Sequence, residues 1–332
     1  MRFSVIIPVY NRPDEIEGLL HSFTEQSYSD YSIIIVEDGS SVPCDAVVES
    51  YSRRLPIEYL SKANGGPASA RNCGARYAKG EYLIFLDSDT TIPAGYFEAI
   101  ESYLAKNEVD LFGGPDRSDD SFTPLQRAIS YSMTSFFTTG GIRGGKKKIT
   151  RFIPRSFNMG VRRSVFEEVS GFAPMRFGED MDLSMRILES GHSSALIDDA
   201  FVYHKRRTSL RGFYRQVFHS GCARIDLSIR HKGSLKLVHL LPLFFILGCL
   251  ALVLCAAIFR CAFIAAPILL YALLLFVDSS IKEKSPYVGL LSVAAAFVQL
   301  FAYGLGFIDN LWKRCILKKA SVSNIDNDRF YS

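Results

Sequence analysis

A long apolar tail follows a chemically mixed first part, and this division constrains the fold more than any other feature of the sequence. Residues 1–236 mix charged, polar and apolar side chains, whereas residues 237–308 are almost entirely apolar. The tail contains three segments close to or above the roughly 20 apolar residues that cross a bilayer: Leu237–Phe259, Cys261–Val277 and Tyr287–Ile308. They lack the polar stripe of a helix in a soluble core. The sequence therefore predicts a globular domain over 1–236, a membrane domain with three apolar helices over 237–308, and a basic, then polar, tail over 309–332.

Basic side chains cluster on the amino-terminal side of this apolar tail. Residues 204–236 carry nine Lys and Arg but one acid, Asp226. No signal peptide precedes the first apolar run, and the positive-inside rule places the globular domain in the cytoplasm. We therefore expect an integral protein of an inner or plasma membrane. Three full crossings would leave Lys313 and Arg314 on the opposite side, so the topology of the third segment stays open.

The charge pattern also limits the partners. The net charge is +4, and residues 143–163 carry eight basic side chains and no acid. Such stretches suit anionic lipid headgroups or phosphate-bearing substrates, so membrane lipid is an expected partner. Nucleic acid is not expected, because the aromatic stacking platforms of an RNA-binding motif are missing. The seven cysteines show no paired spacing, which favours a reducing compartment over a disulfide framework.

Residues 1–107 alternate between strand and helix patterns. The apolar runs are Phe3–Val9, Ser32–Val36, Pro56–Leu60 and Tyr82–Leu86, with helical patterns such as Pro67–Lys79 between them. This alternation predicts an α/β fold with a mostly parallel sheet and flanking helices. Ligands bind at the carboxyl ends of such strands. Polar residues stand directly at these ends, and we expect them to converge on one rim: Asn11, Asp38, Asp87 and Asp89.

Three of these polar clusters have residue types suited to binding a nucleotide and a cation. Asp87 and Asp89 flank one residue at a strand end, where they can hold Mg²⁺ or Mn²⁺, although Asp-rich turns are also common without metal. Asp38 can accept a hydrogen bond from a nucleobase N–H. The glycine-rich turn Asn64–Asn72 enters a helix whose N-terminus can bind phosphate. It is neither a P-loop nor a dinucleotide fingerprint.

Five motifs occur in an order that resembles family-2 glycosyltransferases of GT-A fold. They are Pro8–Asn11, Val36–Ser40, Asn64–Asn72, Asp87–Asp89 and Gly178–Leu183, within residues 1–205. The resemblance implies a nucleotide-diphospho-sugar donor, with a UDP-sugar expected, inversion at the anomeric carbon, and one divalent metal, Mn²⁺ or Mg²⁺. Glu37 stands where the family often has Asp.

The resemblance also implies roles for single residues. Nucleotide-sugar binding is expected at Pro8, Tyr10, Asn11, Asp38, Gly65, Arg71 and Asp87. Metal binding is expected at Asp89 and His204, although a lone histidine is more often structural. Asn158 and Arg155 are expected on the acceptor or diphosphate side.

Glu179 and Asp180 lie where the family has its catalytic carboxylates. An inverting transfer to a hydroxyl needs a carboxylate within hydrogen-bond reach of that hydroxyl, and Asp180 is expected to serve as this base. The structural alternative is that these acids stabilise a helix N-terminus. Asp182 and Arg186 are expected to form an i,i+4 ion pair.

The expected activity is transfer of one sugar to a saccharide hydroxyl on a lipid-linked acceptor, in cell-surface glycan assembly. The Gln-x-x-Arg-Trp motif of processive polysaccharide synthases is missing. Direct transfer to polyprenyl phosphate, which needs no base, is the alternative. An inactive nucleotide-binding membrane scaffold is the second alternative. A nucleotidyltransferase is disfavoured, because its glycine-rich basic loop is replaced by Pro8–Asn11.

Overall fold

The computed structural model describes residues 1–117, 122–140 and 152–318. Most of the expected polar tail (319–332) and part of the basic stretch (143–151) lie outside these residues. The described chain divides into two compact units, one formed by 1–117 and 152–205 and the other by 122–140 and 206–318. Composition had placed the boundary at residue 236, whereas packing divides the chain at residues 205 and 206.

The first unit is built on a seven-stranded sheet with the order β3-β2-β1-β4-β8-β6-β9 and a small sheet with the order β5-β10-β7. The strands are β1 Phe3–Val9, β2 Tyr31–Asp38, β3 Ile57–Lys62, β4 Tyr82–Leu86, β5 Thr90–Thr91, β6 Leu111–Gly113, β7 Asp116–Arg117, β8 Asn158–Arg162, β9 Ser194–Leu196 and β10 Val202–His204. Strands β3, β2, β1 and β4 are parallel, and β8 runs antiparallel to both β4 and β6. The predicted mostly parallel sheet is confirmed.

In the described part of the chain, six helices belong to the first unit, where they pack on the two faces of this sheet, and the other six form the second unit. Their bounds are α1 Pro13–Phe23, α2 Asp45–Ser52, α3 Pro67–Tyr77, α4 Tyr96–Leu104, α5 Pro124–Thr134, α6 Phe136–Thr139, α7 Arg163–Glu168, α8 Glu179–Glu189, α9 Leu210–Arg230, α10 Leu241–Ile258, α11 Ala266–Lys282 and α12 Pro286–Leu311.

Alternation along β1 assigns its side chains to two separate cores. Val5 packs with α1 and α4, whereas Ile6 packs on the other face with α3 and α8. Helix α3 approaches β1 and β2 closely at Gly74, where an added Cβ would lie 2.6 Å from the Ile6 side chain. The sheet is therefore a central layer with helices packed on both of its faces.

Three apolar helical segments dominate the second unit, as the sequence predicted. The segments Leu237–Ile258, Ala262–Lys282 and Pro286–Arg314 are each long and apolar enough to cross a membrane. The second continues past the expected end at Val277, and Asp278 and Lys282 pair across one turn with an N–O distance of 2.9 Å.

Helix α9 belongs to the second unit because its apolar side packs on the third apolar segment. Phe213 and Val217 are buried with Ala295 and Ala302 in one cluster. This packing moves the unit boundary to the amino-terminal side of the one that composition indicated.

Candidate active site

The carboxyl ends of β1 and β2 are tied together by Asn11. Its backbone has a φ of 52°, a left-handed conformation that asparagine tolerates better than most residues. Its N–H donates to Ser40 Oγ at 2.7 Å, and its side-chain oxygen accepts from the Val42 N–H at 2.9 Å. Pro8 lies in β1 and Tyr10 directly after it. The predicted convergence of these strand ends is therefore confirmed for β1 and β2.

Asp38 lies at the end of β2 and holds the glycine-rich turn. One carboxylate oxygen accepts from Lys62 Nζ at 2.6 Å and from the Gly65 N–H at 3.0 Å, and the other accepts from the Gly66 N–H at 2.7 Å. Gly66 has a φ of 82°, so this position favours glycine. Asp38 thus fixes the turn that leads into α3. The contact with Lys62 gave no signal in the sequence.

Glu37 supports the same loops from beneath. Its carboxylate is buried and accepts from the Cys44 N–H at 2.8 Å, from the Tyr59 hydroxyl at 3.2 Å and from Ser40 Oγ. Because Ser40 in turn accepts from Asn11, Glu37 connects the core to the rim. Burial, reinforced by the Glu37 charge, raises the pKa of the Tyr59 hydroxyl, which keeps it a donor. Here the departure from the family's usual aspartate has a structural use.

Asp87, Asp89 and His204 form a candidate metal centre. Each offers one ligand atom, and these atoms lie within 4.8 Å of one another. Asp87 and Asp89 follow β4, and the antiparallel pairing of β5 with β10 sets His204 opposite Thr90. His204 Nε2 lies 3.2 Å from Asp89 Oδ1. Two carboxylates and an imidazole are suitable ligands for Mn²⁺. The two carboxylates also suit Mg²⁺, which prefers oxygen ligands.

Arg12 is a site residue that the sequence reasoning missed. Its guanidinium donates to Asp89 Oδ2 at 3.2 Å and to Glu15 at 2.6 Å. Burial lowers its pKa, but the two carboxylates outweigh burial and raise it overall. The only available signal was its place directly after Asn11, at the start of α1. Arg12 puts a fixed positive charge beside the candidate metal centre.

Arg71 links the candidate metal centre to the candidate catalytic acids. This side chain is buried at 3% exposure, donates to Asp87 Oδ1 at 2.7 Å and donates to Glu179 Oε1 at 3.0 Å. Its guanidinium carbon also lies 5.5 Å from the Phe172 ring centroid. Arg71 was expected to bind the nucleotide-sugar. Both of these hydrogen bonds go to protein carboxylates, so Arg71 also orients Asp87 and Glu179.

Glu179 and Asp180 open helix α8, as the sequence indicated, but their surroundings differ. Burial first, and then the neighbouring Asp180 charge, raise the pKa of Glu179 to about 7, although Arg71 opposes the shift. Asp180 Oδ1 accepts from the Met181 N–H at 2.7 Å, and Asp180 Oδ2 lies 3.5 Å from Arg155 Nη1. Asp180 is therefore the acid whose side chain is not held by Arg71.

Two other predicted contacts have different outcomes. The expected pair of Asp182 and Arg186 is confirmed, with an N–O distance of 2.8 Å and a fully buried Asp182. Asn158 is 2% exposed, accepts from the Tyr96 hydroxyl at 2.7 Å and donates to the Ala200 carbonyl at 2.8 Å. These bonds use one acceptor and one donor position of its amide, and the acceptor or diphosphate contact expected for Asn158 stays a prediction.

Comparison with known proteins agrees with this geometry. Residues 4–170, half of the chain, match the family model of glycosyl transferase family 2. The uncharacterized glycosyltransferase EpsJ of Bacillus subtilis is 28% identical over 217 residues, which cover 62% of this chain and 62% of that protein. This chain thus aligns with less than two thirds of that relative's length.

Two solved structures share the fold. The mannosyltransferase PcManGT of Pyrobaculum calidifontis, in complex with GDP-Man and Mn²⁺, aligns with a TM-score of 0.59 and 20% identity, covering 94% of this chain and 88% of that one. TarS 1–349 of S. aureus, in complex with UDP-GlcNAc, aligns with a TM-score of 0.51 and 20% identity over 72% of this chain and 69% of that one. With the family match, the rim motifs and the sheet topology in agreement, the chain belongs to glycosyl transferase family 2.

Proposed function

We propose that this chain transfers a single sugar, with inversion, from a nucleotide-diphospho-sugar to a hydroxyl of a saccharide acceptor carried on a lipid. The observation that carries the proposal is the joining of two half-sites by Arg71, which contacts both Asp87 and Glu179. One half-site has the composition of a donor and metal site, and the other has that of a base for the acceptor.

The donor half-site comprises the turn held by Asp38 and the cluster of Asp87, Asp89 and His204. A divalent cation there would neutralise the diphosphate leaving group as a Lewis acid. The N-terminus of α3 follows this turn, and its backbone N–H groups would donate to phosphate oxygens of the donor. PcManGT is bound to GDP-Man and TarS to UDP-GlcNAc. We propose a UDP-sugar for this chain.

The acceptor half-site assigns different tasks to its two acids. Glu179 is held by Arg71, and its task is to orient the guanidinium that also contacts Asp87. Asp180 takes the proton from the acceptor hydroxyl as that oxygen bonds to the anomeric carbon. The bond from this carbon to the diphosphate breaks on the opposite face, and the nucleoside diphosphate leaves with the electron pair.

One observation favours a second candidate acceptor. Arg155 is 34% exposed and its guanidinium lies 3.5 Å from Asp180. A guanidinium beside the acceptor position suits a phosphate oxyanion, which attacks without a base. Direct transfer to polyprenyl phosphate is therefore the alternative. We place the reaction at the cytoplasmic face of a membrane, in assembly of a cell-surface glycan.

A donor screen on detergent-purified protein tests the donor half of the proposal. Release of nucleoside diphosphate from each nucleotide-sugar is followed with Mn²⁺, with Mg²⁺ and with EDTA. We expect metal-dependent release from one donor and a loss of roughly 100-fold or more in Asp89→Ala, because the metal contributes several kcal/mol to the barrier. Glu17→Ala, at an exposed acid on α1, is the matched control. Equal release with EDTA would contradict the metal assignment.

The acceptor half is tested with a radiolabelled donor and two acceptors. A saccharide on a lipid carrier should be glycosylated by the wild type and not by Asp180→Asn. Product on polyprenyl phosphate, with Asp180→Asn as active as the wild type, would instead establish the alternative.

A further inference from the structure

The candidate metal centre takes its residues from two different sheets. Asp87 follows β4 of the seven-stranded sheet, whereas His204 ends β10 of the three-stranded sheet. Backbone pairing sets His204 opposite Thr90, and the Lys205 N–H donates to the Asp89 carbonyl at 3.2 Å. These bonds fix the backbone of His204. They do not set the plane of its imidazole, because the torsion about the bond from Cβ to the ring is broad.

Phe157 lies against the imidazole of His204. The two ring centroids are 5.0 Å apart and the ring planes differ by 30°, which is a stacked arrangement. In this orientation His204 Nε2 lies 3.2 Å from Asp89 Oδ1. Because the stacked ring opposes rotation of the imidazole, Phe157 keeps Nε2 directed at the carboxylate of Asp89.

Phe157 is itself held by the larger sheet. Asn158 ends the antiparallel pairing of β8 with β4, which sets Phe157 beside the turn that begins at Asp87. The side chain of Phe157 packs against the core between this sheet and helices α1 and α4. The Asn158 amide also donates to the Ala200 carbonyl at 2.8 Å, on the approach to β10. Phe157 is therefore anchored in the larger sheet and contacts a candidate ligand carried by the smaller one.

We propose that Phe157 is a positioning residue of the candidate metal centre. By stacking on His204, it holds the imidazole nitrogen within reach of a divalent cation bound by the two carboxylates. Phe157 acts through His204 and not on the sugar or the nucleotide. This inference rests on the metal-dependent reaction proposed above.

The stack should also influence which cation the site prefers. Mg²⁺ binds through one or two carboxylates and keeps several of its waters. Mn²⁺, a transition-metal ion, accepts an imidazole nitrogen more readily. Rotation of the His204 ring would therefore remove a ligand that matters more to Mn²⁺ than to Mg²⁺. Loss of the Phe157 ring should lower the affinity for Mn²⁺ and leave the affinity for Mg²⁺ nearly unchanged.

Calorimetric titration of Mn²⁺ and of Mg²⁺ into the detergent-purified full chain, with UDP present, tests the proposal. Phe157→Leu should weaken Mn²⁺ binding about 10-fold, as expected when a group that orients a metal ligand is lost, and Mg²⁺ binding by less than about 2-fold. His204→Ala should show the same pattern. Phe157→Tyr keeps the stacked ring and should retain the wild-type preference for Mn²⁺.

A matched variant separates this role from a general loss of packing. Tyr28 is another partly buried aromatic residue of the same core, and its ring lies 5.6 Å from that of Phe3, at the opposite end of β1 from the site. Tyr28→Leu should lower the thermal unfolding midpoint without changing the ratio of the Mn²⁺ and Mg²⁺ affinities. An equal fall of both affinities in Phe157→Leu, or the same change of ratio in Tyr28→Leu, would overturn the proposal.

Electron spin-echo spectra of bound Mn²⁺ report a nitrogen ligand directly and do not depend on sugar transfer. The wild type should show a nitrogen coupling that is lost in His204→Ala and weakened in Phe157→Leu. An unchanged coupling and an unchanged Mn²⁺ affinity in Phe157→Leu would refute the role of Phe157 and leave the metal assignment intact. Failure of the wild type to bind Mn²⁺ with UDP present would instead overturn the metal assignment, and this inference with it.

Discussion

Replacing Arg71 with methionine should destabilise the protein by an amount that depends on pH. Methionine keeps much of the volume but removes the charge that faces Asp87 and Glu179. Removing one partner of a buried ion pair typically costs about 3–5 kcal/mol, because the remaining charge is left unpaired. Asp87 is partly exposed and can be solvated by water, so most of this cost falls on Glu179.

The sign of the pH effect follows from the raised pKa of Glu179. Its pKa rises from 4.5 to about 7 in the folded protein. A group of this kind stabilises the fold most below its unfolded pKa, and that contribution is lost as the pH rises through its folded pKa. In the wild type the loss is complete slightly above pH 7. In Arg71→Met the pKa of Glu179 rises further, so stability keeps falling by about 1.4 kcal/mol per pH unit above pH 7.

Denaturant unfolding of the detergent-purified protein at pH 6, 7 and 8 measures this effect. Arg71→Met should lose more stability between pH 7 and 8 than the wild type does. The double variant Arg71→Met with Glu179→Gln carries no titrating group at this position, so the additional slope should vanish. An additional slope that persists in the double variant would show that Glu179 is not its source.

Three further outcomes follow from contacts elsewhere in the chain. Asp182→Ala should lower the free energy of unfolding by about 3 kcal/mol, since Asp182 is fully buried against Arg186. Denaturant unfolding measures this loss, and Asp14→Ala, at an exposed acid, serves as the control. Gly306→Ala should destabilise by roughly 1–3 kcal/mol, because the new Cβ would overlap α9. Gly248→Ala, where a Cβ meets nothing within 4 Å, should not lower the thermal unfolding midpoint, because alanine is more favourable than glycine inside a helix.

Strands β1, β2 and β4 could be predicted from the sequence because each contains a continuous apolar run bounded by turn residues, whereas the short strands from β5 onward lack such a run. Strands β1 and β4 have the expected bounds, and β2 extends by one residue before and two after its expected range. The parallel order followed from alternation with helices. Composition marks the start of the apolar tail, but it gives no indication that Phe213 packs on α12, because that contact joins residues more than eighty positions apart.

The sequence predicted those residues of the candidate site that are carboxylates directly at the end of a strand, because both the strand and the residue type can be recognised locally. Asp38, Asp87 and Asp89 stand there in the sequence itself. Contacts that orient these acids were not predictable, since Arg12 reaches Asp89 across 77 positions and Arg71 reaches Glu179 across 108. Local patterns carry no information on such pairs. The internal hydrogen bonds of Asn158 with Tyr96 and Ala200 were not predictable for the same reason.

The two arginines at the candidate metal centre lead to a prediction about binding order. Arg12 pairs with Asp89 and Arg71 with Asp87, so each candidate carboxylate ligand already has a cationic partner. A divalent cation alone must compete with these guanidinium groups. A nucleoside diphosphate brings negative charge to which both the metal and the arginines can bind.

Metal and nucleotide should therefore bind cooperatively. We expect Mn²⁺ to bind about 10-fold more tightly in the presence of UDP, a coupling of about 1.4 kcal/mol, and UDP to gain the same factor from Mn²⁺. Calorimetric titration of each ligand with and without the other measures both sides of this coupling. Arg12→Gln should tighten binding of Mn²⁺ alone and reduce the coupling, because one competing charge is gone. Equal Mn²⁺ affinity with and without UDP would refute the idea that Arg12 and Arg71 compete with the cation for Asp89 and Asp87 until the nucleotide binds.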